Sequence, residues 1–107
     1  MKTAQRTHPG EILRDELEAL NMSAHAFSMA LGVPATRIGD ILKLRRGITP
    51  ETALRLARYF GGSPKVWLGL QLDYDLAEAE QKHGKNIRQT VRKPAKGKSG
   101  GDTLASA

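Results

Sequence analysis

Cysteine is absent from this sequence of 107 residues. Disulfide bonds and thiolate metal sites are therefore excluded, and a reducing cytoplasm is the expected location. Long apolar runs are absent as well, so no segment is long enough to span a bilayer. Residues 1–8 are polar and lack the apolar stretch of a signal peptide. We expect a cytoplasmic protein without a membrane partner.

The sequence also lacks the patterns that most enzymes need. Its histidines, His8, His25 and His83, lie in separate segments, and no two of them have the spacing of metal ligands on one helix face. There is no glycine-rich phosphate loop and no nucleophile elbow. The acidic stretch at 73–80 lacks the glycine and the oxygen spacing of a calcium loop. We expect no enzymatic activity, no metal and no cofactor.

Positive charge is in excess and is unevenly placed. The net charge is +6, of which residues 85–107 contribute +5, from six basic side chains and one acid, and residues 1–84 only +1. Residues 36–58 nevertheless contain six basic and two acidic side chains, because the acids are concentrated elsewhere. Local positive fields of this kind attract polyanions such as nucleic acids.

Apolar side chains recur at helical spacing up to about residue 84, and no strand-like alternation interrupts them. Ser23, Thr49 and Ser63 are good capping residues, and Gly32 suits the left-handed position that ends a helix. The pattern predicts an all-α fold of five helices with short connections. Their predicted ranges are Pro9 to Asn21, Ala24 to Leu31, Ala35 to about Arg45, Pro50 to Phe60 and Pro64 to about His83.

The composition changes at residue 85, where Lys, Gly, Ser, Pro and Ala begin to dominate. Such a segment has too little apolar surface to offset the entropy lost on ordering. We expect an N-terminal arm at 1–8, one domain at 9–84 and a basic tail at 85–107. The tail is expected to be disordered beyond Pro94, although Asn86 to Val91 could add a short strand to a partner.

Residues 23–46 have the plan of a helix-turn-helix, in which a short helix, a turn led by Gly32 and a second helix with an apolar inner face follow one another. The outer face of the second helix must offer hydrogen-bonding side chains to the major groove of DNA. The predicted base-reading residues on this face are Thr36, Arg37, Asp40 and Lys43. Contacts to phosphates are predicted beside it, at Ser23, His25, Arg45 and Arg46.

Each base-reading residue has a chemical reason. Arg37 or Lys43 could donate to guanine, and Thr36 could contact a thymine methyl group. Asp40 could accept from cytosine or only orient Arg37. An ordinary helical hairpin with a solvated charged face is the alternative. Gly39, in the middle of this helix, costs about 1 kcal/mol relative to alanine, and a close approach of either a neighbouring helix or DNA would explain it.

Three motifs are distinctive: HPGEIL at 8–13, RGITPETALRLARYFG at 46–61 and WLGLQLDYDL at 67–76. They resemble the HigA-type antitoxins of the phage-repressor-like helix-turn-helix superfamily, and the resemblance extends over residues 8 to about 84. It implies a five-helix, lambda-repressor-like domain that forms a homodimer and binds a palindromic operator with its third helix. It further implies an antitoxin that represses its own operon and neutralises a RelE-like ribonuclease toxin.

Three segments depart from the pattern of that family. Ala24 stands where many relatives have a polar residue, which removes a contact to the DNA backbone. Pro34 stands where many have serine or threonine, so the third helix lacks its usual side-chain cap. The stretch after the fifth helix is polar and basic, where some relatives have an apolar strand.

The fifth helix has more apolar residues than one face can bury, and the surplus indicates a partner. We expect Trp67 in the core and a dimer interface formed by Leu72, Tyr74 and Leu76. Acids on the first and fifth helices could meet a basic toxin. Three alternatives stay open: a stand-alone regulator without a toxin, a non-specific nucleic-acid binder that uses its tail, and a protein adaptor that no longer binds DNA.

Overall fold

The computed structural model describes residues 7–95 of the chain. This part consists of five helices and contains no strand. The helices are α1 at Pro9–Ala19, α2 at Ala24–Leu31, α3 at Ala35–Leu42, α4 at Pro50–Phe60 and α5 at Pro64–Thr90. None of the helices in this part is long and apolar enough to cross a membrane. The predicted all-α, five-helix fold is confirmed.

Side-chain caps begin most of the helices at the predicted residues. The hydroxyl groups of Ser23, Thr49 and Ser63 each accept a hydrogen bond from a backbone N–H in the first turn, at 3.0 to 3.3 Å. These bonds satisfy donors that a helix start leaves without a partner. Pro34 makes no such bond, so α3 begins without a side-chain cap, as its sequence predicts.

The end of α3 differs from the prediction, because the helix stops at Leu42 and not near Arg45. Leu44 adopts the left-handed conformation, with φ at 62°, and its N–H bonds to the Ile41 carbonyl at 3.0 Å. The Arg45 N–H bonds to the Asp40 carbonyl at 2.8 Å. Where a residue in the left-handed conformation ends a helix, that residue is usually glycine. The prediction was wrong because it took Gly47, three residues later, as the stop.

The end of α5 also differs, because the helix continues past Gly84 to Thr90. The Glu80 carboxylate lies over Gly84 and pairs with Arg88 at 2.6 Å, and a Cβ on Gly84 would overlap that carboxylate. Gly84 thus leaves room for the ion pair between Glu80 and Arg88, which passes over it. Residues 85–90 are helical, so the predicted helix end near His83 was too early, and Asn86 to Val91 form no strand within the described chain. The predicted domain boundaries stay predictions. The rest of the predicted tail, 96–107, lies outside the described residues.

The core lies where α1 to α4 meet the first turns of α5. Its fully buried apolar side chains are Leu13, Phe27, Ile38, Ile41, Ala53 and Leu56. Trp67 is 8% exposed and stacks beside Phe60 with ring centroids 6.0 Å apart. The prediction that Trp67 belongs to the core is confirmed.

The first turn of α1 approaches the end of α3 closely. A Cβ on Gly10 would overlap the carbonyl oxygen of Ile41, so any larger residue would force the two helices apart. The guanidinium group of Arg14 donates to the carbonyl of Leu42, one of the carbonyls that a helix end leaves without a partner. These contacts hold the C-terminal end of α3 from the side of α1.

His8 caps α1 and is buried against α5. Its Nδ1 accepts a hydrogen bond from the Gly10 N–H at 2.9 Å, and its ring packs edge-on against Tyr74 with centroids 4.8 Å apart. Burial lowers the pKa of His8 below its ordinary 6.5, and the charges of Asp75 and Glu11 oppose this shift. Only the form with an unprotonated Nδ1 can accept this bond, so the neutral imidazole is the capping form.

We expect the free energy of unfolding to fall as the pH drops below 6.5, the ordinary pKa of this histidine. The unfolded chain takes up a proton first, and the loss continues until the pH passes the lower folded-state pKa. Denaturant unfolding between about pH 8 and pH 5 measures this dependence. His8→Asn keeps an acceptor without a titrating group and should flatten the curve in this range.

His25 provides the matched control, because it is an exposed histidine in the first turn of α2. His25→Asn should leave the pH dependence as it is in the parent chain. If the two variants gave the same curve, the dependence would not arise from the buried cap at His8.

Candidate nucleic-acid interface

α3 has one buried face and one exposed polar face. Ile38 and Ile41 have no exposed surface, so this side of the helix is occupied by the core. On the other side, Thr36 and the C-cap residue Lys43 are exposed, and Asp40 is half-buried. Residues three and four apart share a helix face, which brings these three predicted base-reading residues together. The major groove, about 12 Å wide, admits a helix presented in this way.

Arg37, the fourth predicted base-reading residue, lies at the flank of α3 that faces α4. Its side chain is 27% exposed, and its Nη1 lies 3.5 Å from the Glu51 carboxylate. The sequence offered Asp40 as the acid that could orient this arginine, but the structure gives that role to Glu51. Arg37 therefore stands beside the exposed face and not at its centre.

Glu51, in the first turn of α4, connects three helices through two arginines. Its carboxylate pairs with Arg55 at 2.9 Å as well as with Arg37. Arg55 also donates to the carbonyl of Leu31, at the end of α2, at 2.9 Å. The hydrogen bond and the charge of Arg55 hold the pKa of Glu51 below its ordinary value, and Arg37 adds to the effect. This network helps to fix α2 and α3 relative to α4.

Ser23 and His25, two predicted phosphate contacts, lie at the exposed N-terminal end of α2. The Ser23 hydroxyl oxygen already accepts a bond from Ala26 at 3.0 Å, but its hydrogen remains able to donate. A helix N-terminus carries a partial positive charge, which favours an anion at this place. The pair is therefore suited to a phosphate.

The loop between α3 and α4 carries the other two predicted phosphate contacts, Arg45 and Arg46, both exposed. Gln71 of α5 holds this loop, because its Oε1 accepts from the Ile48 N–H at 2.8 Å. A Cβ on Gly47 would lie 2.7 Å from the same glutamine side chain. The two arginines are thus displayed from a loop that is bonded to the body of the protein.

Positive charge on this surface is not neutralised by the part of the chain that the structure describes. Within residues 7–95, Lys43, Arg45 and Arg46 form no ion pair, whereas Arg37 is paired with Glu51. We call the surface formed by Ser23, His25, the exposed face of α3 and Arg45–Arg46 the basic face. Its charge and its protruding helix are complementary to duplex DNA.

Sequence reasoning missed the residues that position the basic face. Arg14 bonds the end of α3, Glu51 holds Arg37, and Gln71 holds the following loop. Arg14 could have been noticed, because it is the single basic residue among the acids of α1. The presence of Glu51 is already explained by the preference for acids in the first turn of a helix, so its pairing with Arg37 is not indicated. Gln71 lies 23 residues from Ile48, its hydrogen-bond partner. Nothing local in the sequence identifies either of them.

A model of the helix-turn-helix family matches residues 13–67, which span α1 from Leu13 through α4 and the start of α5. The chain belongs to the helix-turn-helix family. The matched range contains α2, the turn at Gly32 and α3, so the helix-turn-helix that the sequence predicts is confirmed.

Relatives of this helix-turn-helix protein include a virulence-associated protein and an antidote protein. It is 56% identical over 75 residues to virulence-associated protein I of Dichelobacter nodosus, covering 69% of each chain. Its fold is similar to an addiction module antidote protein of the HigA family from Coxiella burnetii, with a TM-score of 0.81, 44% identity and coverage of 85% of this chain and 100% of that one. The resemblance to HigA-type antitoxins is confirmed.

A second similar structure is that of the Pseudomonas aeruginosa antitoxin HigA with the higBA promoter. It has a TM-score of 0.79 and 43% identity, with 82% of this chain and 97% of that chain covered. The individual base and phosphate contacts assigned to this helix-turn-helix protein stay predictions.

α5 beyond Trp67 lies outside the family match and presents exposed leucines. Leu72 and Leu76 are 57% and 59% exposed and share a face, since they are four residues apart. Tyr74, two residues from each, points elsewhere and packs against His8. Leu72 and Leu76 thus share one face of α5, and Tyr74 contributes to the packing of α5 on the N-cap of α1. The assignment of the three residues to a dimer interface stays a prediction.

The described part of this helix-turn-helix protein offers no candidate metal site. Within residues 7–95, no group of three or more His, Cys, Asp or Glu side chains could hold a metal ion. That the protein has no enzymatic activity and no cofactor stays a prediction.

We expect Gln71→Ala to lower the free energy of unfolding of this helix-turn-helix protein by about 1–3 kcal/mol, because the buried Ile48 N–H loses its acceptor. Denaturant unfolding measures the effect. Gln89→Ala, at an exposed glutamine near the end of α5, should change stability by less than about 0.5 kcal/mol. If both substitutions had the same small effect, Gln71 would not hold the loop.

Proposed function

We propose that this protein is a sequence-specific DNA-binding repressor that reads the major groove with α3. The observation that carries the proposal is the division of α3 into a core face and a polar face. The C-terminal end of α3 is held by Gly10 and Arg14. The polar face stands clear of the described chain, beside the positive charges of Lys43, Arg45 and Arg46. The similar P. aeruginosa antitoxin was solved with promoter DNA, which supports this use of the fold.

Base readout is assigned to the exposed face of α3. Lys43 is suited to the O6 and N7 acceptors of guanine, Thr36 to the methyl group of thymine, and Asp40 to the N4 donor of cytosine. Arg37 is the exception, because its pairing with Glu51 holds it at the flank. Arg37 reads a base only if it leaves Glu51 for that base. This change costs little free energy, because an exposed ion pair contributes little to stability.

Phosphate contacts are assigned to both sides of α3. Ser23 and His25 meet one backbone segment from the start of α2, and Arg45 and Arg46 meet another from the loop after α3. Such contacts fix the register of the protein on the duplex without reading sequence. They make the measured affinity depend on salt concentration.

A second copy of the chain is the proposed partner of the exposed leucines on α5. Leu72 and Leu76 form an apolar strip that continues to Ala79, at the spacing of three and four residues that helix pairs use. Two-fold symmetry would place two copies of α3 about 34 Å apart, one turn of DNA, and match a palindromic operator.

We also propose that the protein is the antitoxin of a toxin–antitoxin pair. Its similarity to an antidote protein and to an antitoxin supports this. The toxin would be a RelE-like ribonuclease, and its operon would be the repressed target. The acids of α1 form an exposed acidic surface suited to a basic ribonuclease. Expression of the adjacent gene alone should stop growth, and coexpression of this protein should restore growth and yield a complex of the two proteins. If the adjacent gene product did not inhibit growth, the antitoxin proposal would be contradicted.

We expect selection from a random duplex pool to enrich an inverted repeat with half-sites about one helical turn apart. Lys43→Ala should reduce discrimination at one position of each half-site by about tenfold, because a donor to a base edge is lost. Sequencing of the selected duplexes and titrations at fixed salt measure both effects.

Lys65→Ala is the matched control for Lys43→Ala, since Lys65 is an exposed lysine at the start of α5, away from the basic face. It should leave the selected sequence unchanged. The repressor proposal is contradicted if the parent chain enriches no sequence and binds DNA only at low salt, because binding would then arise from charge alone.

We expect Leu76→Glu to convert a dimer into a monomer of 11.7 kDa, because it places a charge in the apolar strip of each copy. Light scattering after gel filtration measures the mass. Leu54→Glu is the matched control, because Leu54 on α4 is 60% exposed against 59% for Leu76. Loss of the dimer in both variants, or a monomeric parent chain, would contradict the assignment of the interface to α5.

A further inference from the structure

Gly39 lies in the fifth position of α3, among the residues assigned to DNA. It is three residues after Thr36 and four before Lys43, so the three positions share one helix face. Glycine is the poorest helix former after proline. α3 has only eight residues and no side-chain cap at its start, so it is poorly placed to tolerate a glycine.

Nothing within the described protein requires glycine at this position. The φ angle of Gly39 is not positive, so its backbone suits any residue. A Cβ on Gly39 would have no heavy atom within 4 Å beyond the neighbouring backbone of its own helix. Gly10 and Gly47 differ in this respect, because a Cβ on either would collide with another segment. Approach of a neighbouring helix, one of the two explanations open from the sequence, is therefore excluded for residues 7–95.

The remaining explanation is a close approach by a molecule outside the chain. Two of the residues assigned to the bases, Thr36 and Asp40, have short side chains, so they reach base edges only if the helix axis lies deep in the groove. The position with the smallest possible side chain is the one that lets the backbone come closest.

We propose that α3 seats in the major groove with the backbone of Gly39 in van der Waals contact with the duplex, and that the missing side chain sets the depth of seating. Gly39 is then a positioning residue, which allows Thr36 and Asp40 to read bases without reading a base itself. The inference rests on the proposed DNA-binding function and deepens it.

The test separates stability from binding, because the two should move in opposite directions. Gly39→Ala should raise the melting temperature by about 4–8 °C, since alanine favours the helix and meets no neighbour in the free protein. The same substitution should weaken binding to the selected duplex by about tenfold or more, because the methyl group occupies the space of the DNA. Gly39→Leu, with a larger side chain, should weaken binding further.

Gly84→Ala is the control for binding, since it also adds one methyl group to a helix, within the C-terminal part of α5 and outside the basic face. The side chain that this methyl group must displace is the exposed Glu80 carboxylate, so only the affinity of this variant and not its stability is compared. Its affinity for the selected duplex should equal that of the parent chain. Fluorescence anisotropy at one salt concentration measures all four proteins.

The outcomes distinguish this inference from the function on which it rests. If the parent chain selects a duplex and Gly39→Ala binds it equally well, the seating inference is wrong and the repressor function stands. If the parent chain selects no duplex, the DNA-binding function fails, and the inference fails with it.

Discussion

The close packing of α1 on the end of α3 is the constraint on which the rest of this structure depends. Gly10 leaves room for the carbonyl of Ile41, and Arg14 bonds the carbonyl of Leu42. Because these contacts use the backbone of α3 from the side of α1, the polar side chains of α3 are left for a partner. A helix that must reach into DNA needs support of this kind from the opposite side.

Polar contacts between distant segments complete the support. The ion pair of Glu51 with Arg37 connects α4 to α3, and Arg55, which pairs with Glu51 within α4, reaches the end of α2. The bond from Ile48 to Gln71 connects the following loop to α5. Exposed ion pairs contribute little to stability one by one. Their effect here is to orient the basic face, while the buried apolar side chains supply most of the stability.

Local chemistry explains which parts of the fold could be predicted from the sequence. Helix starts were predictable because Ser23, Thr49 and Ser63 are caps that act on their own first turns. Helix ends were less predictable, because two of them depend on conformations or side-chain contacts that the residue type does not indicate. Leu44 ends α3 in a conformation that favours glycine, and Gly84 fails to end α5 because the Glu80 side chain bridges it.

In the candidate site, too, the features that depend on one helix could be predicted, and those that depend on contacts between helices could not. The periodicity of α3 placed Thr36, Asp40 and Lys43 on one face, and the structure agrees. It could not show that Arg37 pairs with a residue 14 positions away, or that Tyr74 packs on His8 and not beside Leu72. These relations arise from the packing of α4 and α1 against their neighbours, for which the sequence contains no local signal.

The central claim is that α3, supported by α1, α4 and α5, is the element that enters the major groove of DNA. Titration of the isotope-labelled protein with its selected duplex, followed by amide NMR spectra, tests it most directly. The account predicts that the largest shifts arise in α3, at the start of α2 and at Arg45–Arg46, with small changes in the C-terminal half of α5. Shifts confined to residues 96–107, with α3 unaffected, would contradict it.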